Sequence, residues 1–297
     1  MQETPLVSIL MTAYNREKYI AEAIESVLAS TYTNFELIIV DDCSNDTTVE
    51  IAKSYELNDK RIKVYINEKN LGDYLNRNRA ASYATGKFLK YLDSDDLVYP
   101  YGLEAYVNSM EKLPDAALGV SSRNIQQNIP FPIFITKEDA IRTHFFKDGF
   151  LDCGPSGVII KRNVFEKLGG FSGKRMIGDS ELWFKIASQY PVAIVPPSLI
   201  FWRQHDEQEF FSGINSGIYL EMNLPMVNEF LDTPYCNLSL KEKESIKKHL
   251  RKISSRALLS MAIKHGKFKK ARQVKKHLKL EWSDFLKVLF KMNKKLI

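Results

Sequence analysis

The chain has 297 residues, of which 44% are hydrophobic and 26% are charged, proportions typical of a soluble globular protein. No apolar run approaches the roughly 18 residues that a membrane-spanning helix needs, and the N-terminus lacks the pattern of a secretory signal. Three widely spaced cysteines without a CxxC pair fit a reducing cytosol. We therefore expect a cytoplasmic protein without a disulfide framework or a structural zinc site.

The net charge of +6 is unevenly distributed. Residues 241–297 contain 19 Lys or Arg against 4 Asp or Glu, a net charge of +15. Residues 1–240 contain 23 against 32, a net charge of −9. This asymmetry predicts two regions with different electrostatic roles.

The first hundred residues alternate between strand and helix patterns. Strand patterns cover VSILMTA (7–13), FELIIVDD (35–42), RIKVYIN (61–67) and FLKYLD (88–93), with helical patterns between them. Such alternation predicts parallel strands joined by crossover helices, and ligands bind such sheets beyond the carboxyl ends of the strands. The acids of VDD and LDSDD lie at two of these ends, so both clusters should face one crevice.

From about residue 100 the alternation stops. A helix near 101–112 and a strand near 116–122 precede an irregular stretch that extends to about residue 150. A glycine-flanked strand and two short helices follow, and after residue 214 the patterns are almost wholly helical.

Three acids, Asp93, Asp95 and Asp96, follow an apolar strand within four positions. Like charges this close repel each other unless something positive compensates them. A strand-ending turn, which uses Asp and Ser for side-chain hydrogen bonds to the backbone, explains these residues taken alone. Their expected convergence with VDD favours the alternative, a divalent cation site.

Several motifs in order resemble the family 2 glycosyltransferases, an inverting family with a glycosyltransferase A-type fold. They cover about residues 6–205 and are VSILMTAYNREKYIAEAIESVL, FELIIVDDCSNDTT, NLG followed by RN, ATGKFLKYLDSDD, GPSGVIIKRNVFEKLGGF, GDSELWF and WRQH.

The resemblance implies an α/β fold with a Rossmann-like, mostly parallel sheet flanked by helices. It implies a catalytic domain over 1–214, with a nucleotide-binding half at about 1–122 and an acceptor half at about 123–214. Residues 215–297 would form a helical, basic C-terminal extension.

A metal site is implied by the family's D-x-D pattern, which Asp93, Ser94 and Asp95 match. Carboxylates suit Mn²⁺ or Mg²⁺. The sequence leaves open which two of Asp93, Asp95 and Asp96 contact the ion. His205 in WRQH matches a further ligand of many members, and its alternative is an exposed loop histidine.

Nucleotide contacts are implied for Asp93, Ser94 and Asp95 of the D-x-D pattern and for five further positions. Asp42 matches the residue that accepts a hydrogen bond from the uracil imide in relatives that use uridine donors, and Thr12, Ala13 and Tyr14 match the segment that packs on the base. Arg77 would approach the diphosphate. Tyr14 could instead be ordinary core, and Arg77 a surface arginine on a solvated helix.

Asp179 in GDSELWF matches the general base of the family, which takes the proton of the acceptor hydroxyl. Gly178 departs from the glutamate that often precedes this aspartate, which puts a supporting acid in doubt. The alternative for Asp179 is a helix N-cap, with Glu181 as its first-turn companion. Ser156 and Trp183 are further candidates for the substrate pocket, Trp183 otherwise being core.

The basic tail allows three interpretations: a helical appendage, an amphipathic surface for anionic lipid supported by Trp282, Phe285 and Phe290, or a nucleic-acid site. No nucleic-acid motif accompanies the charge, and we favour peripheral membrane contact because acceptors for bacterial surface glycans are often lipid-linked.

The resulting expectation is an inverting, metal-dependent transfer of a hexose or N-acetylhexosamine from a UDP-sugar to a glycan or lipid-linked acceptor. Two other classes compete with it. A sugar-1-phosphate nucleotidylyltransferase usually has a glycine-rich segment after the first strand, which TAYNREKY lacks. An inactive scaffolding module is disfavoured because the candidate metal ligands and base are all present.

Overall fold

The computed structural model describes residues 4–122, 130–205, 208, 213 and 216–285. The chain forms two compact units, Met1–Gln204 and His205–Ile297. The boundary predicted at residue 214 lies among residues outside the described part of the chain and stays a prediction.

A mostly parallel sheet forms the centre of the first unit. Its strands in chain order are β1 (Val7–Ala13), β2 (Phe35–Asp41), β3 (Ile62–Ile66), β4 (Phe88–Tyr91), β6 (Leu118–Val120), β7 (Ile133–Ile135), β8 (Val158–Lys161) and β9 (Val192–Ile194). They are arranged in the order β3-β2-β1-β4-β8-β6-β9-β7, in which β8 and β7 run antiparallel to their neighbours. Strands β5 (Leu97–Val98) and β10 (Ile200–Phe201) form a separate antiparallel pair. This architecture confirms the predicted α/β fold.

Helices connect these strands. They are α1 (Ile20–Leu28), α2 (Thr48–Asn58), α3 (Asp73–Ser82), α4 (Gly102–Lys112), α5 (Lys137–Thr143), α6 (Arg162–Leu168) and α7 (Gly178–Ala187). The stretch expected to be irregular up to residue 150 therefore contains β7 and α5. Both are too short to show a clear hydrophobic period, which is why the sequence pattern misses them.

Strands β1 and β2 are buried on both faces, as continuous apolar runs in a parallel sheet should be. Their register pairs Ala13 with Asp41, and the Asp42 N–H donates to the Ala13 carbonyl at 2.8 Å. On the other side of β1, the Leu92 N–H donates to the Leu10 carbonyl at 3.0 Å. Both acid clusters therefore lie at the same edge of the sheet, as predicted.

The second unit is helical in its described residues, with α8 (Ile218–Leu231), α9 (Leu240–Ile263) and α10 (Phe268–His277). A capping box begins α9, because the Glu242 N–H donates to Ser239 Oγ while the Ser239 N–H donates to the Glu242 carboxylate. The small core of this unit includes Leu258, Val274 and Phe285. Among the described residues, no helix combines the length and apolar character that crossing a membrane requires.

Candidate active site

The three acids of the LDSDD segment converge directly after β4. The ligand oxygens of Asp93, Asp95 and Asp96 lie within 4.8 Å of one another, and Ser94 is buried between them. The Asp96 N–H donates to the Asp93 carbonyl at 2.9 Å, so the segment is also a turn. The turn explains the backbone, but it does not require three carboxylates to meet, and their meeting favours a cation site.

The pKa of Asp96 shows the effect of placing three acids close together. Its side chain is buried, and its carboxylate accepts hydrogen bonds from the Arg203 N–H, at 3.1 Å, and from the Ser156 hydroxyl. Burial and the neighbouring Asp93 charge raise the pKa of Asp96 to about 8. A group of hard carboxylate oxygens with unfavourable mutual repulsion fits Mn²⁺ or Mg²⁺.

Two arginine side chains contact the other two acids. Arg77 Nη2 lies 2.7 Å from Asp93 Oδ1, and Arg16 Nε lies 3.2 Å from Asp95 Oδ2. Arg77 is buried, so the alternative of a solvated surface arginine is wrong. Arg16 was missed by the sequence analysis, although its position just after β1 places it at the same edge of the sheet.

A buried lysine supports the cluster from within β4. Lys90 Nζ donates to the Tyr91 carbonyl at 2.7 Å and to the Ser156 carbonyl at 2.6 Å, while the Asp93 N–H donates to Ser156 Oγ at 2.9 Å. Burial lowers the pKa of Lys90 to about 7. Ser156 is buried too, so the structure places it under the acidic segment and in contact with its backbone. Lys90 was also missed, and its signal was a charge inside the apolar run FLKYL.

Lys90→Met should lower the free energy of unfolding by about 1 to 3 kcal/mol, because two buried carbonyls lose their donor. Urea denaturation at pH 7 measures this change. Lys87→Met is the matched control, since Lys87 is half exposed and pairs with Glu111 on the surface, where an ion pair contributes less than about 1 kcal/mol. Equal losses in the two variants would contradict the supporting role of Lys90.

Asp42 is buried at the end of β2 and holds the loop that leads into α3. Its Oδ1 accepts from Asn67 Nδ2 at 2.7 Å and from the Leu71 N–H at 2.8 Å, and its Oδ2 accepts from the Gly72 N–H at 2.9 Å. A carboxylate oxygen can accept two hydrogen bonds, so Oδ2 retains acceptor capacity for a ligand.

The segment that was predicted to pack on a base lies at the carboxyl end of β1. Ala13 is buried, whereas Tyr14 is 43% exposed, so the interpretation of Tyr14 as ordinary core is wrong. Thr12 is paired with Val40 of β2 in the sheet. The structure therefore brings Thr12, Ala13 and Tyr14 to the edge that carries Asp42.

Asp179 lies in the first turn of α7 and is partly buried. The N-cap residue is Ile177, and Asp179 Oδ1 instead accepts from the Ser180 N–H at 2.7 Å, so the N-cap alternative is wrong. Burial raises the pKa of Asp179 to about 6, although a hydrogen bond from the Tyr74 side chain opposes part of that shift. Glu181 is paired with Lys174 at 2.9 Å.

The glycine before Asp179 has a steric cause. A Cβ at Gly178 would lie 2.8 Å from Cδ2 of Tyr74, closer than carbon atoms pack. The Tyr74 ring therefore occupies the space that a glutamate side chain would need to leave this position. The same tyrosine contacts Asp179, so the ring that excludes a supporting acid also holds the candidate base.

Helix α3 connects the candidate base with the acid cluster. Tyr74 reaches Asp179, and one turn later Arg77 joins Asp73, at 2.8 Å, to Asp93. Neither Asp73 nor Tyr74 was a candidate in the sequence analysis. The spacing of Asp73 and Arg77 by four residues was the available signal.

Trp183 and His205 are the remaining candidates. Trp183 is fully buried and donates from Nε1 to the Cys153 carbonyl at 2.9 Å, which makes it core and leaves no ring face for a sugar. His205 begins the second unit, and its role as a metal ligand stays a prediction.

A family model for glycosyl transferase family 2 matches residues 8–169, more than half of the chain. The chain belongs to glycosyl transferase family 2. An uncharacterized glycosyltransferase of Methanocaldococcus jannaschii is 34% identical over 222 residues, which are 71% of this chain and 75% of the relative. Membership establishes a glycosyltransferase and removes the nucleotidylyltransferase and scaffold alternatives. The matched range contains both acid clusters but neither Asp179 nor His205.

Further comparisons add the names of characterised relatives and the fold. The UDP-Glc:α-D-GlcNAc-diphosphoundecaprenol β-1,3-glucosyltransferase WfgD of Escherichia coli is 45% identical over 107 residues, 36% of this chain and 42% of that enzyme. The mannosyltransferase PcManGT of Pyrobaculum calidifontis, solved with GDP-Man and Mn²⁺, superposes with a TM-score of 0.64 at 16% identity. The alignment covers 98% of this glycosyltransferase and 88% of PcManGT. S. aureus TarS 1-349 with UDP-GlcNAc superposes with a TM-score of 0.58 at 18% identity, and the alignment covers 91% of this glycosyltransferase and 90% of the TarS chain. These structures confirm the glycosyltransferase A-type fold.

Proposed function

We propose that this glycosyltransferase is an inverting, metal-dependent enzyme that moves a hexose or N-acetylhexosamine from a UDP-sugar to a hydroxyl group of the acceptor. The observation that carries the proposal is the convergence of Asp93, Asp95 and Asp96, joined through α3 to Asp179. In one displacement, a bond forms between the acceptor oxygen and the anomeric carbon while the bond to the diphosphate breaks. The hydroxyl proton passes to the Asp179 carboxylate, and the nucleoside diphosphate leaves.

Asp93 and Asp95 would hold Mn²⁺ or Mg²⁺, with Asp96 and His205 as further candidates. The bound ion would neutralise the charge that develops on the leaving diphosphate. Arg77 contributes from the chain itself, because it fixes the Asp93 carboxylate and carries a positive charge beside the site.

Asp42 is the residue proposed to recognise the nucleotide base. The remaining acceptor capacity of its Oδ2 suits the imide N–H of uracil, which adenine and cytosine lack. The exposed ring of Tyr14, at the same edge of the sheet as Asp42, is available to pack on the base.

The proposed acceptor is a lipid-linked glycan of bacterial surface polysaccharide biosynthesis. The name of WfgD, which denotes transfer to a diphosphoundecaprenol-linked sugar, supports this choice. A second relative, 45% identical over 31% of this chain, is named a putative teichuronic acid biosynthesis glycosyltransferase of Bacillus subtilis. The enzyme would then act in the cytoplasm, peripherally on the inner face of the membrane, with its basic helices toward anionic lipid.

Titration calorimetry in Mn²⁺ should show tighter binding of UDP than of GDP or CMP, because the imide N–H of uracil can donate to the acceptor position that Asp42 Oδ2 retains, whereas the unprotonated N3 of cytosine cannot. The comparison with GDP is the sharpest, since a structural neighbour was solved with GDP-Man. A preference for GDP by more than about tenfold, roughly 1.4 kcal/mol, would overturn the uridine assignment. If UDP binds best, comparing the slow hydrolysis of different UDP-sugars will identify the sugar that is transferred.

A further inference from the structure

The turn between α9 and α10 exposes two large apolar side chains. We call residues 263–269 the hairpin tip, and all of them are exposed. Ile263 ends α9 with 72% of its surface exposed, and Phe268 begins α10 with 65% exposed. Exposed apolar residues that are grouped at one point mark an interaction site more often than scattered ones do.

The backbone of the hairpin tip is well ordered by hydrogen bonds. The Lys267 N–H donates to the Met261 carbonyl at 3.1 Å, and the Ala271 N–H donates to the Lys267 carbonyl at 3.0 Å. Gly266 has a φ of +64°, a left-handed conformation that glycine adopts without strain. Met261 and Ala271 belong to the core of the unit, so the helices on both sides of the tip are anchored. The exposure of Ile263 and Phe268 is therefore a feature of the fold and does not come from a frayed helix end.

Positive charge surrounds these two side chains. Residues 245–280 contain 13 Lys or Arg and no Asp or Glu. Three of these cations, Lys264, Lys267 and Lys269, lie in the hairpin tip itself and are exposed. Three of the 13, Lys247, Arg251 and Lys270, are paired with acids from outside this segment, and the excess of positive charge that remains attracts an anionic partner.

We propose that the hairpin tip docks on an anionic lipid bilayer. Ile263 and Phe268 enter the boundary between head groups and acyl chains, and the three lysines contact lipid phosphates. Apolar insertion and electrostatic attraction are each weak for a short segment, and stable peripheral binding needs both. The proposal rests on the lipid-linked acceptor in the proposed function, because such an acceptor lies at a membrane. A nucleic acid would use the lysines but gives Ile263 no role.

This surface differs from the one expected from the sequence. Phe285, which was expected to face lipid, is 8% exposed and packs in the helical core. Trp282 is exposed with Lys275 Nζ 4.4 Å from its ring centre, while Phe290 lies outside the described residues. The described lipid-facing candidates of the tail are thus reduced to Trp282, whereas the hairpin tip offers two apolar side chains beside three lysines.

The test is co-sedimentation of the full chain with vesicles in which about a third of the lipid is phosphatidylglycerol and the rest phosphatidylcholine. We expect binding that falls with added salt, and little binding to phosphatidylcholine alone. The double variant Ile263→Ser, Phe268→Ser should lower the partition coefficient about tenfold or more. Leu57→Ser is the matched control, since Leu57 is 87% exposed on α2 of the first unit, and it should bind like the unchanged protein.

Undiminished vesicle binding by the double variant would overturn the proposal, because charge alone would then explain the attraction. Tighter binding to a short DNA duplex than to the vesicles would also overturn it. Thermal unfolding should be the same for the double variant and the unchanged protein, since both side chains are exposed. UDP-sugar hydrolysis without vesicles tests the glycosyltransferase proposal separately, because the hairpin tip takes no part in that reaction.

Discussion

Asp179→Asn should lower the rate of sugar transfer by about 10²- to 10⁴-fold and leave donor affinity nearly unchanged. An amide has no useful proton affinity at neutral pH, so the acceptor hydroxyl loses its base. The amide oxygen can still accept from the Ser180 N–H, as Asp179 Oδ1 does at 2.7 Å. The fold should therefore persist, with a loss of unfolding free energy below roughly 1 kcal/mol, because this hydrogen bond is retained. Single-turnover transfer and the donor dissociation constant are the two measurements.

The pH profile gives an independent check of the same carboxylate. Burial raises the pKa of Asp179 to about 6, so the base is mostly ionised at pH 7 and becomes protonated as the pH falls. Transfer should therefore decline below about pH 6. The hydrogen bond from Tyr74 lowers the pKa of Asp179, so in Tyr74→Phe the decline should begin at a higher pH. A merely structural tyrosine would reduce the rate without moving the profile.

Glu181→Gln is the control for Asp179→Asn, because Glu181 lies in the same helical turn and is paired with Lys174. It should retain most of the transfer activity. If Asp179→Asn transfers sugar normally and Glu181→Gln does not, the base is Glu181 and the assignment to Asp179 is wrong.

The edge of the sheet at which the parallel strands end could be predicted from sequence, because it depends on local patterns. Alternating strands and helices imply parallel strands, and parallel strands present their carboxyl ends together. The placement of Asp42 and the three acids of LDSDD at one edge follows from this rule. Nothing beyond the strand boundaries was needed to expect their proximity.

Contacts across the chain could not be predicted in this way. Lys90 is recognisable as a charge in an apolar strand, but the Ser156 carbonyl that it bonds lies 66 residues away. Likewise, Gly178 is visible as a departure from the family pattern, and only the packed fold shows that the Tyr74 ring causes it. Both contacts depend on which elements pack together after the sheet has formed.

The basic tail shows a second limit of sequence patterns. Apolar residues near Trp282 suggested a lipid-facing helix, yet Phe285 is in the helical core. Helical periodicity identifies an apolar stripe, but a core and a membrane both bind such a stripe. Burial separates the two cases, and it moves the exposed apolar surface to the turn between α9 and α10.

Asp95→Asn should abolish the gain in thermal stability that Mn²⁺ confers and reduce transfer by more than about 10²-fold. The substitution removes one negative charge from oxygens that lie within 4.8 Å of one another, and it replaces a charged ligand by a neutral one. The amide oxygen can still accept from Arg16 Nε, which lies 3.2 Å from Asp95 Oδ2, so the surrounding turn should keep its conformation. Thermal unfolding with and without Mn²⁺ measures the first effect, and single-turnover transfer the second.

Asp115→Asn is the matched control, since Asp115 is an exposed acid of the same unit, and it should keep the Mn²⁺-dependent gain. Normal transfer by Asp95→Asn in the presence of a chelator would contradict the metal proposal. In that case Arg16 and Arg77 would be the cations that compensate the acids, because each already contacts one carboxylate. Asp95 would then be a residue of the strand-ending turn, and Arg16→Gln should damage catalysis more than Asp95→Asn does.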